Sequence, residues 1–184
     1  FLIIPRKRLA KRAKVIRMQK LELRRPTMAD KETILSMVAE FEERQSAHDG
    51  GFWEKGCFDY EAWLTGNQDM EMGLHLPEGW VPSIQLVGFV EDEAVGFLNL
   101  RLRLNDYLLN QGGHIGYSVR PSARGKGYAK AMLQQGIELA KTKNLERVLV
   151  TCSENNSASR AVIVANGGQL EDVREGTERY WIGQ

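Results

Sequence analysis

One segment, HIGYSVRPSARGKGYAKAML from His114 to Leu133, dictates what the rest of the chain must build around it. It begins as a short apolar run closed by Pro121, passes a turn holding Gly125 and Gly127, and continues with Ala129, Met132 and Leu133 on one helical face. A strand must therefore feed a helix through a tight, glycine-bearing turn. The first N–H groups of such a helix lack carbonyl partners and sit at the positive end of its dipole. With the glycines allowing close backbone approach and Arg124 and Lys126 adding charge, the turn is suited to bind a pyrophosphate.

Two other phosphate-binding patterns fit poorly. A dinucleotide fingerprint needs a third small residue where Lys130 stands and normally follows the first strand of a parallel unit. A triphosphate loop ends in Gly-Lys-Ser/Thr, which this segment lacks. A helix start whose glycines serve packing alone stays open.

The flanking sequence supplies a mixed α/β frame. Lys20 to Arg25 alternates as a half-buried strand ended by Pro26, and Thr27 with Asp30 opens a helix running to about Arg44. A glycine- and aromatic-rich loop spans 46–58, and a second, shorter helix spans 59–72. The runs 84–90 and 94–104, separated by Glu91, Asp92 and Glu93, read as a hairpin whose second strand keeps one face wet. Strand 114–119 and helix 125–143 follow, then a buried strand at 147–152, a helix at 157–165 and a closing hairpin at 169–173 and 178–182. The order β-α-α-β-β-β-α-β-α-β-β gives a largely antiparallel sheet with one βαβ crossover.

The chain has 184 residues, enough for one domain with a real core, and 25 basic against 24 acidic residues. Seven of the bases (Arg6, Lys7, Arg8, Lys11, Arg12, Lys14, Arg17) fall in residues 1–17, which hold no acid. The remainder is net acidic, so nucleic acid is not an expected partner of the folded part, whereas cationic substrates such as amines are favoured. The basic leader, 1–17, reads as an extension foreign to the fold or as an arm for nucleic acid or membrane, ahead of a single domain over 18–184. It has the wrong order of charge and apolar residues for a secretory signal, and no run approaches a membrane span. Cys57 and Cys152 have no metal-ligand spacing and make a weak case for a disulfide, which predicts a reduced, cytoplasmic protein without a metal.

At Val119-Arg120-Pro121 followed by Arg124-x-x-Gly127-x-Ala129, the sequence resembles the GNAT superfamily of CoA-dependent N-acetyltransferases. The likeness extends to Asn156-Ser157-Ala158-Ser159 opening the next helix and Asn166-Gly167-Gly168 closing it, and to the order of elements from Lys20 to Ile182. It implies an α/β (α+β) fold: a mixed, largely antiparallel sheet of about seven strands with a splayed central pair, flanked by about four helices. It implies acetyl-CoA as cosubstrate and direct transfer of the acetyl group to a primary amine of a small molecule, peptide or protein. A homodimer is compatible with it, and a catalytically silent acyl-CoA-binding regulator on the same scaffold is the competing reading.

Carried over residue by residue, the resemblance gives main-chain groups around Ser118 and Val119 to the pantetheine arm. It gives the turn Arg124, Gly125, Lys126, Gly127, Tyr128 and Ala129 to the pyrophosphate, Asn156 of the next helix to the arm or to a backbone near it, and Ser159 to the cofactor. The Val119 N–H is the candidate for polarising the acyl carbonyl. His114 stands where many members carry a glutamate base, and its ordinary pKa suits that task. Its alternative role is a bond to a neighbouring loop. Ile163 stands where many members carry a tyrosine acid and cannot donate, leaving Tyr117, Tyr128 and Tyr180 as hydroxyl donors, or solvent to protonate the leaving thiolate as in relatives without that tyrosine. The acceptor pocket is expected to draw on Trp53, Trp80 and Tyr180, with Phe52, Trp63 and Trp181 and the carboxylates Glu54, Asp59 and Glu61 nearby, an environment for an ammonium group. Cys152 is expected to pack rather than attack, and His48 and His75 to be loop residues.

Overall fold

The computed structural model describes residues 20–183, so the basic leader 1–17 lies outside them. Seven strands form one sheet: β1 (Leu21–Arg24), β2 (Ser83–Val90), β3 (Glu93–Arg101), β4 (Ile115–Val119), β5 (Val148–Ser153), β6 (Gln169–Arg174) and β7 (Thr177–Ile182), in the order β1-β2-β3-β4-β5-β7-β6. Every neighbouring pair is antiparallel except β4 and β5. Four α-helices flank it among the described residues: α1 (Lys31–Glu43), α2 (Tyr60–Met72), α3 (Tyr128–Thr142) and α4 (Ser157–Ala165).

Two apolar layers sandwich the sheet. On one face Ile34, Met37, Val38 and Phe41 of α1 and Tyr60 of α2 bury against Val87, Phe89, Ala94 and Phe97. On the other, Met132, Leu133 and Ala140 of α3 and Ile163 of α4 cover Leu86, Leu98, Leu100, Ile115, Val119 and Val150. Strands β2 and β3 are therefore buried on both sides, which explains their nearly continuous apolar sequence. The wet face expected for β3 is absent along the strand. β3 stops at Arg101, so Leu102 and Leu104 continue the alternation beyond the sheet.

Helix α1 starts later than Thr27 because the Asp30 carboxylate gathers the local donors instead. It accepts the Thr27 N–H at 2.8 Å and takes both Arg24 amino groups at 2.7 and 2.8 Å, closing a short 3-10 turn over Met28–Asp30. The Arg24 guanidinium outweighs burial and holds the Asp30 carboxyl below its ordinary range.

The β2–β3 hairpin turns on Glu91 and Asp92, with φ of 50° and 65°. Both lie in the left-handed region without being glycine, where a two-residue loop of this hand favours Asn-Gly. The double replacement Glu91→Asn, Asp92→Gly is expected to stabilise the fold by about 1 kcal/mol, a rise in Tm of ~2–4 °C on thermal denaturation.

One feature fixes the site. β4 and β5, five and six residues long, pair at Ile115↔Val150 alone. The sheet opens between them from that point on.

Candidate active site

The opening exposes one edge of β4. The Arg101 N–H donates to His114 O at 2.7 Å and the Arg120 N–H to Val95 O at 2.8 Å. Alternation along a strand then turns the main-chain groups of Gly116 and Ser118 toward β3, and those of Tyr117 and Val119 toward β5. Past Ile115 no β5 ladder receives them. The Val119 carbonyl accepts from Arg124 Nε at 2.9 Å, which leaves the Val119 N–H and both main-chain groups of Tyr117 facing the gap. The Ser118 expectation is corrected in one respect. Its main chain serves the β3 ladder and its hydroxyl donates to Asp49 O at 2.7 Å, so the main-chain groups that face the gap belong to Tyr117 and Val119.

The gap leads into a cavity of about 1390 Å³ that extends from the N-terminus of α3 to the face of β3 beneath the loop before α2. At its α3 end Gly125 and Gly127 adopt φ of 77° and 82°, with open space where a Cβ would point. The first α3 bond is Ala131 N–H to Gly127 O, at 3.3 Å. The N–H groups of Tyr128, Ala129 and Lys130 have no carbonyl within the helix, and all three residues line the cavity. Lys126 is exposed and lies off the wall, which corrects its assignment to the cradle; Lys130, one turn into the helix, lines it instead.

Two side chains hold this turn in place. Arg124, besides gripping the end of β4, donates to Ser46 Oγ at 2.7 Å. Glu40 of α1 accepts the Ser122 N–H at 2.9 Å, its hydroxyl at 2.6 Å and Arg120 Nη2 at 3.1 Å. Burial pushes the Glu40 carboxyl up, but these donors outweigh it and hold it down at about 2. Because its pKa is depressed on folding, the link is intact at neutral pH and is lost only as pH falls through that value.

Helix α4 forms the other wall. Asn156 Oδ1 accepts the Ser159 N–H at 3.0 Å and so caps the helix. A bond to nearby backbone is one of the two expected of Asn156, and Asn156 and Ser159 both line the cavity. The Ser159 hydroxyl and the Tyr117 hydroxyl are bonded at 2.8 Å across the gap. Burial raises the Tyr117 phenol to about 12. Ile163 is wholly buried in the core and contributes no group to the site.

His114 does not suit the role of a base. It is buried and off the cavity wall, and its Nδ1 accepts the Leu149 N–H at 2.9 Å. The lone pair a base would use is thus occupied, and the remaining ring nitrogen carries the hydrogen. Burial, aided by the Arg101 charge, pushes the imidazole down to about 4. Its own N–H donates to Leu149 O at 2.7 Å, so His114 ties β4 to β5 where the splay begins.

His48 has the opposite arrangement. Its Nδ1 lies 2.6 Å from Gly51 O, and a carbonyl only accepts, so Nδ1 carries the hydrogen and Nε2 keeps its lone pair. The ring stacks on Trp53 with centroids 3.7 Å apart and lines the cavity. Its loop is pressed onto β4: Ser118 holds Asp49 O, Gln85 Nε2 donates to Gly50 O at 2.7 Å, and a Cβ at Gly50 would meet Gly116 O at 2.3 Å. Sequence reading passed over His48 because it has no partner at a recognisable spacing. The glycine pair Gly50-Gly51 with Trp53 close behind was the available signal.

The aromatic pocket divides. Trp80 lines the cavity and packs edge-on to Phe52. Trp53 instead lies beneath His48 among Phe41, Phe58 and Phe97, its Nε1 donating to Glu42 at 3.1 Å. Tyr180 is buried away from the cavity and donates to Glu178 at 2.7 Å. Both are corrections, as large aromatics serve core and pocket equally well. Nor do Glu54, Asp59 and Glu61 line the cavity; Asp59 caps α2 and Glu61 pairs with Lys31. The charged residues that do are Asp49, Arg101, Arg124, Lys130 and Glu175. Cys152 lines the gap, but burial and the Glu178 carboxylate raise its thiol to about 11, too high for a nucleophile.

Among the described residues no helix is long and apolar enough to cross a membrane, and no group of three or more His, Cys, Asp or Glu side chains gathers as a metal site.

Comparison with known proteins bears on this geometry. The model of the acetyltransferase (GNAT) domain matches residues 20–169. No curated protein sequence matches the chain. Among solved structures, Mycobacterium smegmatis RimJ in complex with CoA-disulfide superposes with a TM-score of 0.64 at 20% identity, over 89% of this chain and 81% of that one. A Salmonella typhimurium acetyltransferase that modifies the N-terminal serine of a 50S ribosomal subunit protein gives 0.61 at 19%, over 90% and 96%. The putative acetyltransferase yncA of Salmonella typhimurium, solved with acetyl-CoA, gives 0.58 at 17%, over 89% and 93%.

Proposed function

The chain belongs to the GNAT acetyltransferase family, and on that premise we propose that it transfers the acetyl group of acetyl-CoA directly to a primary amine of a small molecule, peptide or protein terminus. The observation that carries the reading is the single pair Ile115↔Val150, past which β4 and β5 part into a cavity that reaches the N-terminus of α3. A thioester arm laid in that gap meets main-chain groups of Tyr117 and Val119. A pyrophosphate at its end meets the N–H groups that open α3. The residues present fit acetyl-CoA, since Gly125 and Gly127 leave open the space that side chains would fill.

Each chemical task then falls to a group of this chain. The Val119 N–H, preorganised at the edge of the gap, stabilises negative charge on the acyl oxygen. His48 Nε2 takes the proton of the attacking amine, with Trp53 and Gly51 O fixing the ring. The Tyr117 hydroxyl, replacing a donor at Ile163, hydrogen-bonds the leaving sulfur. A phenol raised to about 12 acts there as a donor to the thiolate rather than by giving up its proton outright.

The test is thiol release from acetyl-CoA with a panel of primary amines. Turnover is expected for at least one amine class; acetyl-CoA that raises Tm while no amine releases thiol favours the silent regulator. His48→Ala and Tyr117→Phe are each expected to lower kcat about 10²-fold while keeping the acetyl-CoA-induced rise in Tm. Unchanged kcat in either removes that residue from the mechanism.

A further inference from the structure

The acceptor half of the cavity contains a cation that has no counterion among the described residues. Arg101 ends β3 on the face that carries Phe97 and Asn99, and its guanidinium lies against Gly116 of β4, 3.0 and 3.1 Å from where a Cβ there would stand. It lines the cavity and is half-buried. Among the described residues the guanidinium makes one hydrogen bond, a long contact to Gly112 O at 3.4 Å, and has no carboxylate within ion-pair distance. Asp49, on the loop above, is the acid whose field it feels, yet it forms no ion pair with it. Burial pulls the guanidinium below its ordinary value, as expected of a cation kept from both water and a partner. Other arginines with little exposure are paired: the wholly buried Arg179 with Glu171 and Asp172, and the partly buried Arg120 with Glu40.

The surroundings suit a planar anion. Ser83 lines the cavity on the neighbouring strand and accepts Asn99 Nδ2 at 3.2 Å, which leaves its own proton to donate. The ring of Phe52 lies 5.8 Å from the guanidinium carbon, so one side of the site is apolar. A guanidinium with most of its five donors unused, beside a hydroxyl donor in a low-dielectric recess, matches the two oxygens of a carboxylate.

Resting on the acetyl-transfer reading above, we propose that the acceptor amine carries a carboxylate and that Arg101 binds it, making the substrate class a compact amino acid. Distance limits its size. Gly116, against which the guanidinium lies, and Val119, whose N–H faces the acyl oxygen, are three residues apart on β4, on the order of 10 Å at ~3.3 Å per residue. The contacts at either end take up about 3 Å each, so an amine and a carboxylate a few bonds apart fill what remains; a long polyamine or an uncharged peptide terminus leaves Arg101 unpaired.

The test pairs each amino acid of a panel with its own carboxamide, which keeps the amine and removes the charge. Wild-type protein is expected to favour the acid over the amide by about 30-fold or more in kcat/KM, and Arg101→Gln to bring that ratio close to one while acetyl-CoA still raises Tm. Amides turned over as well as acids by the wild type, or a preference that survives in Arg101→Gln, overturns the proposal. If no amine is acetylated although acetyl-CoA binds, the transfer reading has failed and the site is judged by binding. Calorimetry with N-acetylated amino acids and their amides, in the presence of CoA, is then expected to show the acids alone bound, and only by the wild type. Equal or absent binding overturns the proposal there too.

Discussion

Gly127→Asp is expected to abolish the rise in Tm that acetyl-CoA gives the wild-type chain. At cofactor 100-fold above Kd the wild type should gain about 2.7 kcal/mol, or ~5–10 °C for a domain of this size. Gly127 stands at φ 82° with nothing within 4 Å of its missing Cβ, so the new side chain projects into free space beside the N–H groups that open α3. An anion placed there takes the position of the pyrophosphate and repels it. The backbone strain of a left-handed residue is a separate effect, about 1–2 kcal/mol on the protein without ligand. Gly127→Ala isolates it: the alanine variant should melt lower yet keep most of its response to acetyl-CoA, while the aspartate variant should lose the response. Equal responses in the two variants would move the pyrophosphate elsewhere.

The turn and helix start of that half of the candidate site were legible because they are built from backbone. A glycine needed at positive φ, a helix start and a capping residue leave marks in the sequence itself, which is why α4 is read with its observed bounds from Asn156-Ser157 and the closing Gly167. The order of elements was legible for the same reason, since each rests on a local period or a turn. The chemistry in the other half depends on what each side chain meets across the fold. His114 and His48 are the same residue type on the same cavity's periphery, yet one accepts the Leu149 N–H and the other donates to Gly51 O. Which lone pair remains free is decided by partners 35 and three residues away. Arg101 looked like the wet face of a strand, because its lack of an ion-paired acid among the described residues is a fact of three dimensions only. Trp53 and Tyr180 looked like pocket walls because burying an aromatic costs the same pattern wherever it points.

Gly113→Ala should cost a large part of the fold's stability, and the reason is the geometry that creates the splay. Gly113 has φ 67° and ψ −176°, a region essentially confined to glycine. A Cβ there would stand 2.6 Å from Leu149 O, the oxygen that receives the His114 N–H at 2.7 Å. The alanine therefore collides with the carbonyl that pins β4 to β5, and relief requires the two strands to part before Ile115 rather than after it. Backbone strain and overpacking together amount to about 3 kcal/mol or more, a fall in Tm of ~6–12 °C. Gly66→Ala in α2 is the matching control: nothing lies within 4 Å of its Cβ, and in an exposed helix the same change should stabilise by up to about 1 kcal/mol. Opposite signs for one chemical change would show that the penalty belongs to the junction of β4 and β5. Because the gap that this junction sets is the proposed seat of acetyl-CoA, the surviving folded fraction of Gly113→Ala should also bind it more weakly. A variant that melts low but binds acetyl-CoA with wild-type affinity would separate the junction from the site.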